Sequence, residues 1–223
     1  MKASRTLLLG ALVLTLGMVT QAWAGDFTPK ITFTLSDTRV NANPQMKVHL
    51  EQDDKEEELA HVTLSIPSGF KIPGDAKIAD GDDLGSGQIV IDVGPGCNPS
   101  SPTDAARAPA TLPATLTEQD RTDAQVDAGV RAVWHLSIQG VVNVDLAVTG
   151  NKTLGYKLDG DIPANDNTCP PFAFDLNVNS QSGAGVPIIR NPGVAGPKTF
   201  KAKFQSQDSS AISVTKQVIK IKP

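Results

Sequence analysis

Three histidines, two cysteines and two acid-rich segments are the residues of this chain whose types could do chemistry. A zinc site or a general base needs histidines to converge with carboxylates, and the short motifs that ensure convergence are H-E-x-x-H on a helix and H-x-H on a strand. Neither spacing occurs among His49, His61 and His135. Each falls on the polar phase of an alternating segment, where a solvent-facing side chain is expected. No G-x-S-x-G elbow is present, and Cys97 sits in a Gly94-Pro95-Gly96-Cys97 turn without a local nucleophile signature. The glycines between positions 81 and 87 follow acids instead of opening a helix, so they are poorly suited to cradle phosphate. The expectation is a protein that is not an enzyme.

The acids suit binding better. Asp80, Asp82 and Asp83 lie around Gly81, while Asp159 and Asp161 flank Gly160 with Asn165-Asp166-Asn167 close behind. Such oxygens are what calcium requires, which makes these five aspartates the candidate metal set and calcium the candidate cofactor; no other cofactor is implied. The first segment is not an EF-hand, because its fifth position is Leu84 and its twelfth is Ile91. Aspartate and glycine also build turns by capping their own backbone, and that reading stands beside the calcium one. A glycan site would stack sugars on exposed rings, yet Phe33, Trp134, Tyr156, Phe172, Phe174, Phe200 and Phe204 all share the apolar phase of their segments; only Phe27 and Phe70 lie near turns.

Cys97 and Cys169 take their meaning from compartment. Lys2 and Arg5 precede an uncharged apolar run over residues 7–19, and Ala22-Trp23-Ala24 has the A-x-A form of a cleavage site. Thirteen apolar residues fall short of the roughly 20 needed to span a bilayer. Residues 1–24 therefore read as a signal peptide and residues 25–223 as the exported chain, extracellular or periplasmic, at the cell surface or in the envelope. In an oxidising compartment the simplest state of Cys97 and Cys169 is one disulfide, closing a loop of 73 residues. The chain-entropy relation puts its worth at about 4 kcal/mol.

The elements that must position these residues repeat with period two. Inward rows are expected at Ile31, Phe33 and Leu35; at Met46, Val48 and Leu50; at Val62, Leu64 and Ile66; and at Ile89, Ile91 and Val93. Similar rows run over 130–136, 142–148, 154–158, 172–178 and 200–204, and a last one spans 212–221 with a change of phase near Lys216 that predicts a bulge or bend. Ten half-buried strands with turns such as Pro67-Ser68-Gly69 predict an all-β, antiparallel, immunoglobulin-like sandwich with little helix. One weak helix is expected over 117–126, capped by Thr117. Residues 94–116, rich in proline and alanine, read as a connector inside a single 25–223 domain.

Two stretches carry a resemblance. HVTLSIPSGF at 61–70 resembles the strand and Pro-x-Gly turn that open secreted bacterial β-sandwich proteins, and residues 185–221, with NPGVAGPKTF before the penultimate strand, resemble the closing hairpin of immunoglobulin-like cell-surface modules. The resemblance implies a surface or envelope location for a fold whose members are mostly of uncharacterised function. Composition adds exclusions. At 4% aromatic, 39% hydrophobic and a formal charge of −4, the 223-residue chain is neither a multi-span membrane protein nor a basic nucleic-acid binder. Losing Lys2 and Arg5 with the leader takes the charge to −6, unevenly placed: residues 51–58 hold six acids, residues 198–223 six lysines. Solvated faces explain this, and so does complementarity with envelope partners or further copies of the chain. The function expected is that of a secreted, non-catalytic structural or interaction protein, the alternative being a calcium- or carbohydrate-dependent binding module.

Overall fold

A computed structural model describes residues 27–54, 56–74, 77–94, 108–164, 168–207 and 210–223. The leader, Cys97 and Asn165-Asp166-Asn167 lie outside the described residues. Among the described residues eleven strands follow in chain order: β1 (Lys30–Leu35), β2 (Met46–Gln52), β3 (Leu59–Ile66), β4 (Asp83–Val93), β5 (Ala108–Gln119), β6 (Ala132–Ile138), β7 (Val142–Asn151), β8 (Gly155–Asp161), β9 (Thr168–Val178), β10 (Gly196–Ser206) and β11 (Ile212–Ile221). One short helix, α1 (Asp123–Asp127), joins β5 to β6.

Two separate sheets are not what these strands form. They make one sheet in the order β1-β2-β9-β4-β5-β6-β7-β8-β3-β10-β11, every neighbouring pair antiparallel, and it curls until β1 approaches β11. A sandwich and a barrel need the same alternation of apolar and polar residues, so period two cannot separate them. An odd number of strands has a geometric consequence. With every pair antiparallel, the first and last strands run the same way, and the seam where they meet must be parallel. Gln217 closes it: its Nε2 donates to the Phe33 carbonyl at 2.8 Å and its Oε1 accepts from the Phe33 N–H at 2.6 Å, so one side-chain amide stands in for a backbone partner. Past the strand ends, Val40 N–H donates to Lys222 O at 2.9 Å and Lys222 N–H to Thr38 O at 2.7 Å.

Inward rows are mostly apolar and outward rows mostly polar, as in β1, where Ile31, Phe33 and Leu35 are buried between exposed Lys30, Thr32 and Thr34. This is the reverse of a barrel that faces lipid. Separately, no helix among the described residues is long and apolar enough to cross a membrane.

Three sequence expectations are corrected. The connector at 94–116 ends in β5, whose inward row includes buried Ala114, Leu116 and Glu118. Its prolines are tolerated because the Pro113 carbonyl faces β6, accepting from Gln139 N–H at 3.2 Å, so the Pro113 nitrogen faces the same way, and the β5–β6 ladder begins only at Ala114. The helix begins at Asp123, not Thr117, because Thr117 to Gln119 pair with β6; Thr122 is the cap, in a reciprocal capping box with Gln125. No bulge interrupts β11, whose register against β10 runs unbroken from Ile212 opposite Gln205 to Ile221 opposite Gly196. Its change of apolar phase instead leaves Ile212, Val214 and Val218 on the outer wall, each more than half exposed.

The two ends of the barrel differ. At the end where β10 starts and β11 finishes, the loops carrying Phe70 and Ile72, and Ile188 and Ile189, fold inward and are knit by Lys71 and Arg190 exchanging backbone hydrogen bonds at 3.0 and 2.9 Å. Phe200 packs there between Phe33 and Phe70, with ring centres 5.3 Å from each. At the opposite end the interior is filled less completely.

Candidate functional site

The less filled end holds a half-open cavity of about 160 Å³. Every wall strand contributes except β5, β8, β10 and β11: Ile31 from β1, Leu50 from β2, Ile91 from β4, Leu136 from β6, Val144 from β7 and Phe174 from β9 are representative. Residues just beyond strand ends (Val141, Ile162, Pro163 and Gln207) rim its mouth. Side chains that fill the other half are large, Trp134, Phe70 and Phe200 among them, whereas the cavity half is lined chiefly by Val, Ile and Leu. Polar atoms are few. Gln207 uses its Nε2 to tie the Leu59 and Ile162 carbonyls at 3.1 and 3.4 Å, which fixes the mouth, and Glu58 lies beside it. Gln52, 3% exposed, ends the inward row Met46, Val48, Leu50 of β2. Its Nε2 donates to the Glu57 carbonyl, and its buried Oε1 has no hydrogen-bond partner among the described residues. A site of this kind binds by excluding water from apolar surface, with few polar groups to fix orientation.

The histidines are on the outer wall, as their phase predicts, and the register sets each one directly opposite an aspartate: His49 opposite Asp175, His61 opposite Asp161, His135 opposite Asp145. The Nδ1 atoms lie 3.0, 2.7 and 2.6 Å from those carboxylates. The Glu51 carboxylate, 3.0 Å from Nε2 of His49, raises that imidazole above its usual value against a smaller opposing effect of burial, and Asp175 adds to the rise. Burial pushes Asp175 up, but bonds from His49 and Lys47 outweigh it and hold the carboxyl below its usual value. His61 also lies 3.2 Å from the Thr63 hydroxyl, a hydroxyl–imidazole–carboxylate sequence in connectivity. Thr63 donates its proton to Asp159 at 2.6 Å, however, so toward His61 its oxygen can only accept. These are cross-strand ladders on a solvated face.

The candidate metal residues divide between two places. Asp80, Asp82 and Asp83 lead into β4 at the plugged end, where their carboxylates accept backbone or amide hydrogens: Asp80 from Asp120 N–H at 3.2 Å, Asp82 from Ala184 N–H at 3.4 Å, Asp83 from Gly85 N–H at 3.0 Å and from the Asn179 amide at 3.2 Å. Asp159 and Asp161 are not in a turn at all; they belong to β8, which runs toward the mouth, and the inward residue between them is a glycine, with Leu146 and Val144 filling the space of a Cβ. The structure thus does not bring the two acid sets together, and no group of three metal-ligating side chains forms among the described residues.

Cys169 is buried beside the cavity and is not a free thiol. Of the sites found here, the cavity is the one that reading by residue type missed, since its lining looks like core in sequence. A signal that could have pointed to it is Gln52, a polar residue in phase with Met46, Val48 and Leu50 but absent from the candidates read by residue type. No family model matches the chain, and no curated protein matches it.

Proposed function

We propose that this chain is an exported, non-catalytic binding protein of the bacterial surface or envelope whose barrel interior holds a small apolar guest. The observation that carries the reading is the cavity: about 160 Å³, open at one end, with an almost wholly apolar lining. A dry apolar cavity near 150 Å³ suffices for a benzene-sized guest. The amino-terminal leader supports export, and a Cys97–Cys169 disulfide would anchor the segment after β4 to β9 beside the cavity. Calcium and glycan binding are less favoured, because Asp80, Asp82 and Asp83 already accept backbone hydrogens, Asp159 and Asp161 are engaged by Thr63 and His61, and the rings are interior. The test is titration with a fluorescent naphthylamine probe, comparing the wild type with Val142→Trp, a substitution at the mouth that adds bulk to the cavity. Saturable binding that Val142→Trp abolishes supports the reading; no binding, or equal binding by a folded Val142→Trp, overturns it.

A second surface supports an interaction role. On the outer wall Ile212, Val214 and Val218 are interleaved with Lys216 and Lys220 and flanked by Lys201 and Lys203, and β1, β10 and β11 carry no acid. An acidic partner, another envelope protein or a second copy, fits this face by charge. Light scattering across a salt series tests self-association: a species that stays monomeric at low salt and high concentration rules the second copy out.

A further inference from the structure

We infer that the guest carries a neutral hydrogen-bond donor, such as the hydroxyl of an aliphatic alcohol, and that Gln52 receives it. The inference rests on the reading of the cavity as a binding site and goes beyond it by assigning head-group chemistry. Four observations converge. Gln52 lines the cavity and is almost wholly buried. Its Nε2 is committed to the Glu57 carbonyl, which fixes the amide with Oε1 turned away from that bond. That oxygen is a buried acceptor with no partner among the described residues, a condition that native structures rarely leave unrelieved. Among the described residues that line the cavity there is no lysine, arginine or histidine, while Glu58 is one of them. An ionised carboxylate head would therefore enter without a cation and beside an acid, at a cost that an alcohol avoids. An alkane fits the walls but leaves Oε1 unsatisfied. The guest that meets both demands is apolar in body and donates from an uncharged head.

The experiment is a titration of the full exported chain with hexane, 1-hexanol, hexanoate and hexylamine, followed by the methyl resonances of Ile91, Leu136 and Val144. Expected is binding of 1-hexanol about tenfold tighter than hexane, the scale of one satisfied hydrogen bond, with hexanoate weakest. In Gln52→Leu, hexane affinity should be retained and the preference for 1-hexanol lost. Gln52→Met, which keeps the length of the side chain and removes the acceptor, should likewise lose that preference, and it serves if Gln52→Leu does not fold. The inference is overturned if wild type binds hexane and 1-hexanol equally, if hexanoate or hexylamine binds tightest, or if folded Gln52→Leu keeps the alcohol preference. Failure of all four compounds to bind would instead count against the cavity reading itself, and this inference would go with it.

Discussion

Replacing Gln217 by alanine should open the barrel at its one parallel junction. The side chain makes two hydrogen bonds to the backbone of Phe33, at 2.6 and 2.8 Å, and between β1 and β11 these are the principal direct link apart from a long Thr215 to Pro29 contact at 3.4 Å. Each bond has a net worth of about 1 kcal/mol, so the loss is about 2 kcal/mol if water reaches the freed Phe33 groups, and about 4 kcal/mol if the N–H and C=O stay buried and unpaired. With a urea dependence of about 2 to 3 kcal/mol per molar, the denaturation midpoint should fall by about 1 M. Gln217→Glu is the sharper control, since it keeps the acceptor for the Phe33 N–H but sets an oxygen against the Phe33 carbonyl, and it should be no more stable than the alanine variant. Amide hydrogen exchange localises the effect: protection at Phe33 should drop more than protection at Val48, its neighbour across the β1–β2 ladder. A midpoint within about 0.2 M of wild type, together with unchanged protection at Phe33, would refute the clasp, since a 2 kcal/mol loss predicts several times that shift.

Three more outcomes follow from the same coordinates. Gly87→Ala should cost at least about 2 kcal/mol, because a Cβ there would sit on the Asp175 carbonyl oxygen of β9, whereas Gly81→Ala meets no atom and should cost only about 1 kcal/mol for its left-handed φ of +78°; thermal unfolding of the two variants compares them. His49 is raised in the fold, so its contribution is fully present below the unfolded histidine value near 6.5 and is lost as pH rises through the folded value. Asp175 is lowered, so its contribution is present above the ordinary carboxylate value and lost as pH falls through the folded one. The stability gap between wild type and His49→Gln should therefore be larger at pH 5.5 than at pH 8.5, by about half a kcal/mol given that both groups are near the surface, and a gap that grows toward pH 8.5 contradicts the sign. Millimolar calcium should leave the urea midpoint in place, and Asp82→Ala should lower it equally with and without the ion; a calcium-dependent rise that Asp82→Ala removes would restore the metal reading.

Most of the strands were legible because each buries one face, and alternation such as Phe172, Phe174, Leu176 and Val178 against Ala173, Asp175 and Asn177 needs no partner to be recognised. β5 was not, because Pro109 and Pro113 stand where prolines usually end a strand, and what admits them, the start of the β6 ladder at Ala114, is a fact about register and not about composition. The glycine and aspartates of β8 misled in the same way. Asp-Gly-Asp is a turn by residue type, but here Gly160 takes an inward position of β8 where Leu146 and Val144 occupy the space that a Cβ would need.

Closure and cavity were hidden for a common reason. Alternation records which side of a strand is covered, not what covers it, so a residue facing another sheet and one facing a void read alike. At the seam even that rule weakens. β11 is apolar in both phases, with Ile219 and Ile221 turned in and Ile212, Val214 and Val218 turned out, so its sequence suggested a bulge or bend where the register runs unbroken. Inside the barrel the difference between core and cavity is one of volume: the half around Phe70, Phe200 and Trp134 is filled, and the half around Leu50, Ile91 and Val144 is not. Volume across a barrel depends on which rows the topology makes neighbours, and β2 meets β9, not β3, only because the chain crosses over. Gln52 shows the same limit. A polar side chain that prolongs an apolar row is anomalous once the row is known to stay buried, but Gln52 precedes Asp53 and Asp54, and only the fold shows that the inward row of β2 runs past Leu50.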